Sequence, residues 1–150
     1  MGTYFLSILF AINLSGCSTR AIIIKEQNRS LRVIQRIIQT NMPSGVRIVS
    51  SNSREYSSDY FAVGKDSHFN PSQSQYRSFA KVIILGDRRP YEISVQVYVE
   101  QRVDQNKETN GDYHIVGTDR KATEKIAKLI EDELDKSRAE MNVIDDFRPF

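Results

Sequence analysis

The chain has 150 residues, of which 39% are hydrophobic, a composition that argues against overall disorder. Its net charge of +2 is too small to indicate nucleic acid as the partner, and its one Cys excludes an intramolecular disulfide and a Cys-rich metal site. The 21 basic and 19 acidic residues are unevenly placed, because none of them precedes Arg20. The residues beyond this charge-free opening are enough for one domain and too few for two.

The opening of the chain is typical of a secretory leader. Its apolar run, Tyr4 to Ile12, has the length of a signal-peptide core and falls short of the roughly 20 residues that a transmembrane helix needs. Leu14-Ser15-Gly16-Cys17 follows and resembles the lipobox of bacterial lipoproteins. The resemblance implies removal of residues 1–16, a diacylglycerol on the Cys17 thiol and acylation of the new amino terminus. This covalent lipid is the one cofactor that we expect.

The lipoprotein resemblance also implies an address in the cell envelope. Ser18 after the acceptor cysteine is similar to the outer-membrane class, whereas an Asp there would imply retention at the inner membrane. We therefore expect a lipid-anchored protein at the periplasmic face of the bacterial outer membrane, with inner-membrane retention as the alternative. The chain departs from the family pattern in having no Lys or Arg before its apolar run. The other interpretation is a buried first element with an incidental Cys.

The next segment has helical periodicity. From about Arg20 to Thr40 the apolar residues share one half of a helical wheel, which predicts an amphipathic helix ending at the turn formers of residues 41–45. Four cations occupy a sector of about 60° opposite them. We call these four residues the basic stripe: Lys25, Arg29, Arg32 and Arg36.

The basic stripe belongs to the most basic part of the chain. Residues 1–54 hold seven basic residues and one acid, whereas the remaining residues hold 14 basic and 18 acidic residues. The stripe is therefore a candidate site for anionic lipid headgroups, for lipopolysaccharide phosphates or for an acidic partner protein. The alternative is an ordinary solvated helix face, or a face paired with acidic residues elsewhere in the domain.

The middle of the chain changes to a period of two. Residues from Tyr91 to Val99 alternate between apolar and polar and predict a half-buried strand, which a short polar loop joins to a preceding strand, Tyr76 to Leu85. After Gly117 the pattern predicts a second helix with Thr118 or Asp119 as its N-cap. Further strands are predicted at residues 45–50, around 60–63 and at 113–116, and exposed polar segments at 50–58, 65–75 and 104–111.

Two amphipathic helices and one amphipathic sheet predict an α+β fold. We expect a two-layer sandwich in which an antiparallel sheet of four or five strands carries an N-terminal and a C-terminal helix on one face. Residues 17–150 would form this single domain, with a short tail at 142–150. The arrangement resembles, at the level of fold alone, the lipoproteins that assist outer-membrane protein or lipopolysaccharide assembly. It differs from them in placing a helix directly after the anchor.

The C-terminal tail mixes charges, aromatic residues and a Pro in the sequence Asp145-Asp146-Phe147-Arg148-Pro149-Phe150. Its Phe147, Arg148 and Phe150 are candidates for docking to another envelope protein, because aromatic and Arg side chains often anchor interfaces. The alternative is that Val143, Ile144 and Phe147 cap the core of the same domain.

The sequence contains no local signature of catalysis. His68 and His114 lack the spacing of a zinc site, and no nucleophile elbow or phosphate-binding Gly loop is present. We therefore predict no catalytic residue and no metal. The expected function is a non-enzymatic accessory, assembly or scaffolding role among other envelope proteins. The alternative is a binding module for a lipid, a lipopolysaccharide or a glycan, at the sheet face or at residues 65–75; a hydrolase is a weaker third possibility.

Overall fold

The computed structural model describes residues 21–62, 69–103 and 112–141, with the side chains of the last helix described up to residue 137. In chain order the elements are β1 (Ile22–Gln27), α1 (Leu31–Asn41), β2 (Val46–Val49), β3 (Glu55–Ser58), β4 (Tyr76–Leu85), β5 (Tyr91–Arg102), β6 (Tyr113–Thr118) and α2 (Arg120–Met141). Within these residues the strands form one six-stranded antiparallel sheet, and both helices cover the same face of it. The predicted α+β sandwich is confirmed, with more strands than the four or five expected.

The first strand of the domain, β1, lies at one edge of the sheet. The strand order runs β1-β5-β4-β3-β2, and β6 pairs with β5 as well. Ile22 of β1 lies opposite Val95, and Thr118 of β6 lies opposite Tyr98, so β1 and β6 share one side of β5 end to end. We call β1 and β6 together the β1–β6 edge. At about 4.8 Å per strand, β2 at the other edge is about 19 Å away across the sheet.

The first turn of α2 closes the gap between β1 and β6. The Asp119 N–H donates to the Val97 carbonyl oxygen at 3.1 Å, and the Val97 N–H donates to Thr123 Oγ1 at 3.0 Å. Asp119 Oδ1 also accepts from the Ala122 N–H at 3.0 Å, so Asp119 provides the N-cap. The buried strand β5 therefore keeps its backbone hydrogen bonds where neither neighbouring strand reaches it.

The core lies between the helices and the sheet. Alternate residues of β4 and β5 turn toward the helices, as the period of two predicted. The fully buried aliphatic side chains include Val82, Ile93, Val95 and Val97 from the sheet and Ile34, Ile38 and Ile130 from the helices. Tyr56 of β3 is also fully buried, and its hydroxyl donates to the Ser53 carbonyl oxygen at 2.8 Å. Burial raises the pKa of the Tyr56 hydroxyl above its usual value, and a hydrogen bond with Gln39 lowers it by a smaller amount.

The predicted helix over residues 20–40 is wrong in its first part. Residues 22–27 form β1, and α1 begins only after Ser30, whose hydroxyl accepts from the Val33 N–H at 3.4 Å. The three isoleucines at 22–24 are β-branched and suit a strand that packs beside β5. A short apolar run fits a helical wheel and a strand equally well, so periodicity alone could not decide.

A second difference concerns β3. Residues 55–58 were predicted as an exposed segment and form a strand, whereas residues 60–63 were predicted as a strand and contribute, among those described, only a bridge from Phe61 to Ser78. The polar composition of residues 55–58 concealed the strand. Ser58 is nevertheless buried, and its hydroxyl accepts from the Ala80 N–H of β4 at 2.8 Å. The strands predicted at 45–50, 76–85, 91–99 and 113–116 are confirmed.

Candidate functional site

The fold divides the basic stripe between two places. Lys25 lies on β1 and Arg29 in the turn before α1, while Arg32 and Arg36 lie on the exposed side of α1. The single helical stripe of four cations is therefore wrong, because the strand at residues 22–27 breaks the helical spacing. The predicted lipidation residue Cys17 and the tail residues Phe147, Arg148 and Phe150 lie outside the described residues.

Lys25 and Arg29 line an open groove of about 370 Å³ between the end of β1 and the end of α2. Arg29 Nη2 is buried there and has no hydrogen-bond partner among the residues that the structure describes. Glu26 and Asp135 line the same groove, so its two cations face two carboxylates. The groove is balanced in charge and does not by itself select an anion.

Arg32 and Arg36 line a second open groove, of about 490 Å³, on α1. Gln35 in this groove donates from Nε2 to the Ser53 carbonyl oxygen at 2.9 Å, which ties α1 to the turn between β2 and β3. Neither arginine forms an ion pair with any residue that the structure describes. No Asp or Glu occurs between residues 27 and 54. This face of α1 is therefore positive and uncompensated.

The sheet face away from the helices carries a cluster that the sequence analysis missed. The Arg77 guanidinium carbon lies 3.6 Å from the centroid of the Tyr60 ring and 3.5 Å from that of Tyr113. Its Nε is 2.7 Å from Glu100 Oε2. The open-face cluster consists of Arg47, Tyr60, Arg77, Phe79, Tyr98, Glu100 and Tyr113. Such stacking of Arg on aromatic rings stabilises both partners.

The polar atoms of the open-face cluster are largely engaged, either with one another or with nearby backbone carbonyl oxygens. The side chains of Arg77 and Glu100 are only 15% and 12% exposed. The Tyr113 hydroxyl donates to the Ser74 carbonyl oxygen at 2.7 Å, and Arg77 reaches the Pro71 carbonyl oxygen at 3.4 Å. The cluster thus fastens residues 71–74 to the sheet. It acts first as a small second core on the open face.

The β1–β6 edge exposes aliphatic side chains. Ile23 is 37% exposed on β1, and Ile115 and Val116 are 57% and 53% exposed on β6. Strand β6 contains no Asp, Glu, Lys or Arg. Arg120 and Lys121 follow it as exposed residues in the first turn of α2. An apolar strip with cations beside it is thus presented on the side where the chain enters the domain.

Comparisons of the chain with protein-family models, with curated proteins and with solved structures found no match. In the described ranges no group of three or more His, Cys, Asp or Glu side chains is placed to hold a metal ion. His114 is exposed on β6, and His68 lies outside those ranges. No helix among the described residues is both long enough and apolar enough to span a membrane.

Part of the open-face cluster could have been predicted from the sequence, by pairing the outward residues of β4 and β5. Phe79 and Tyr98 occupy outward positions of β4 and β5, and the hairpin register places them directly opposite each other, with ring centroids 5.4 Å apart. Arg77 and Glu100 are the next such pair. Pairing the two predicted strands residue by residue would have found both contacts. Tyr60 and Tyr113 join from outside the hairpin, so no local pattern indicates them.

Proposed function

We propose that the protein is a membrane-anchored envelope lipoprotein with a non-enzymatic accessory or assembly role, which holds an acidic envelope protein through the exposed face of α1. The proposal of an acidic partner rests on Arg32 and Arg36, which are exposed and form no ion pair with any described residue. Elsewhere, four Lys or Arg side chains are neutralised by Glu partners: those of residues 77, 81, 120 and 136. The lysines of α2 that form no ion pair among the described residues lie on a helix that also carries acidic residues, whereas α1 carries none. An uncompensated pair offers charge to a partner, whereas a neutralised one does not.

The position of α1 favours a protein over the headgroups of the anchoring membrane. The hydrogen bond from Gln35 to Ser53 ties α1 to the β2–β3 side of the sheet. Arg32 and Arg36 line the same groove as Gln35. The chain enters at β1, and about 19 Å across the sheet separates β1 from the β2 edge. The Debye length at physiological ionic strength is about 8 Å, so charges on the β2 side are largely screened from a membrane that lies at β1. An acidic protein can approach them directly.

The test is crosslinking and pull-down of the lipidated full-length protein from its native membrane. The variant Arg32→Gln/Arg36→Gln should lose a stoichiometric envelope partner, and rising salt should weaken capture by the unaltered protein. Lys125→Gln/Lys128→Gln is the matched control, because it removes the same charge from exposed positions of α2. Repeated recovery of the protein alone, or equal loss with both double variants, would contradict the proposal. So would binding of the unlipidated domain to anionic liposomes through Arg32 and Arg36.

The alternative role, a binding module for an envelope glycan or lipid, is favoured by one observation. Phe79 and Tyr98 stack on the open face and are only partly buried, so they offer exposed aromatic surface on which a sugar ring could stack. Titration of envelope glycans against the wild type and Tyr98→Ala, followed by tyrosine fluorescence, tests this role. Saturable binding that Tyr98→Ala abolishes would support it. No saturable change with the wild type would refute it.

A further inference from the structure

We infer that the β1–β6 edge rests on the surface of the bilayer, with Ile23, Ile115 and Val116 in its interfacial region. The inference rests on the proposed lipid anchor at Cys17. It names the side of the domain that this anchor holds against lipid. The occupant of the exposed aliphatic strip is therefore phospholipid rather than a protein.

The tether between the proposed anchor and the domain is short. Cys17 is four residues before Ala21, which directly precedes β1. A fully extended chain spans at most about 3.6 Å per residue, so the lipid-bearing residue lies within about 14 Å of Ala21 whatever its conformation. The opposite edge at β2 is farther from β1 than this, about 19 Å across the sheet. The anchor therefore leaves the domain at the β1–β6 edge, on a tether shorter than the width of the sheet.

Exposed aliphatic side chains of β1 and β6 flank this point, although the β2 edge exposes Ile48 and Val49 as well. Ile23 is the second residue of β1. Ile22 lies opposite Val95 of β5, and Thr118 lies opposite Tyr98. These two positions of β5 are three residues, or about 10 Å, apart. Ile115 lies opposite Glu100, two positions further. The strip therefore extends to both sides of the place where the chain enters.

The chemistry of the exposed aliphatic strip suits a lipid surface. Aliphatic side chains bordered by cations suit a bilayer interface, where the side chains meet the acyl boundary and the cations meet headgroup phosphates. Ile115 and Val116 are more than half exposed to water. Lys121 follows them in sequence as an exposed cation in the first turn of α2, whereas its neighbour Arg120 is paired with Glu124 at 2.8 Å. The headgroup region is hydrated, so the backbone N–H and C=O groups on the outer side of the edge strands can still form hydrogen bonds with water.

The edge is poorly built for the rival occupant, an added β-strand. The register of β6 shifts between the partners of Val99 and Glu100, which leaves Val116 as an extra residue. The register of β1 shifts between Ile24 and Gln27, where Glu26 has a φ of 57°. Such bulges interrupt the row of backbone donors and acceptors that an incoming strand must pair with. A lipid surface makes no such demand.

The test uses the lipidated full-length protein in vesicles of phosphatidylethanolamine and phosphatidylglycerol. Cys17 is the only Cys of the chain, so once its thiol carries lipid an introduced Cys is the only free thiol. Val116→Cys and Ile48→Cys form a matched pair, because these residues are 53% and 52% exposed on opposite edges of the sheet. Each is labelled with a fluorophore, and quenching by a phospholipid with a spin label near its headgroup is measured.

We expect quenching to be severalfold stronger at position 116 than at position 48. If the protein floats with the vesicles but quenching is equal at the two positions, or stronger at position 48, the inference is overturned. If the unaltered protein reacts with the thiol reagent or does not float, the anchor itself is wrong, and both the proposed function and this inference fall. Ile115→Cys is the second probe if Val116→Cys does not fold.

Discussion

The ion pair of Arg77 and Glu100 offers a quantitative test of the open-face cluster. Its atoms are 2.7 Å apart, and its side chains are 15% and 12% exposed. A hydrogen bond to a charged group contributes about 1.5–3 kcal/mol, and removing one partner of a fully buried pair costs about 3–5 kcal/mol. Arg77 keeps its stacking on Tyr60 and Tyr113 when Glu100 changes. We therefore expect Glu100→Gln to lower the free energy of unfolding by about 2 kcal/mol.

A double-mutant cycle isolates the pair. Urea unfolding of the wild type, Arg77→Met, Glu100→Gln and the double variant, followed by circular dichroism, should give a coupling energy of about 2 kcal/mol. The matched control is the pair of Lys81 and Glu55, which is 3.2 Å apart with side chains 37% and 48% exposed. Because solvent weakens exposed pairs, its coupling energy should be below about 1 kcal/mol.

Equal coupling energies in the two cycles would refute the reasoning. So would a coupling energy below about 0.5 kcal/mol for Arg77 and Glu100, a value typical of pairs that solvent screens. Either result would mean that burial beneath the tyrosines does not strengthen the pair. The open-face cluster would then no longer count as a second core, and its aromatic side chains would be better candidates for a ligand.

Three further predictions concern the cap, the buried tyrosine and the anchor. Asp119→Ala should lower the free energy of unfolding in urea by about 1 kcal/mol, because the Ala122 N–H loses its acceptor; no change would contradict the cap. The folded protein holds the Tyr56 proton more tightly than the unfolded chain, so the melting temperature should fall above pH 10, and less steeply in Tyr56→Phe. Cys17→Ser should move the protein from the membrane to the aqueous fraction; unchanged fractionation would contradict the anchor.

The sequence predicted best those elements whose residues have one consistent environment. The alternation from Tyr91 to Val99 predicted β5 correctly, because one face of that strand is buried from Tyr91 to Val97. The hairpin partner β4 matches its predicted bounds, Tyr76 to Leu85, because polar residues flank it on both sides. The helical period after Gly117 likewise gave α2. Together these elements determined the predicted fold class.

The errors arose where distant contacts decide the local structure. Residues 22–24 form a strand because β5 offers them an unpaired edge, which lies about 70 residues further along the chain. Residues 55–58 form a strand because β2 and β4 pair with them on both sides, despite their polar composition. Propensity yields to tertiary pairing in both cases. The first error also created the helical stripe, since Lys25 matched the helical spacing while lying on a strand.

The most direct test of the account is the intact mass of the protein extracted from its native membrane. We predict a mature chain that begins at Cys17 and carries a diacylglycerol on its thiol and an acyl group on its amino terminus. Tandem mass spectrometry of the first peptide would assign both modifications to that residue. A chain that retains residues 1–16, or a Cys17 with a free thiol, would contradict the anchor and with it the proposed role at the membrane.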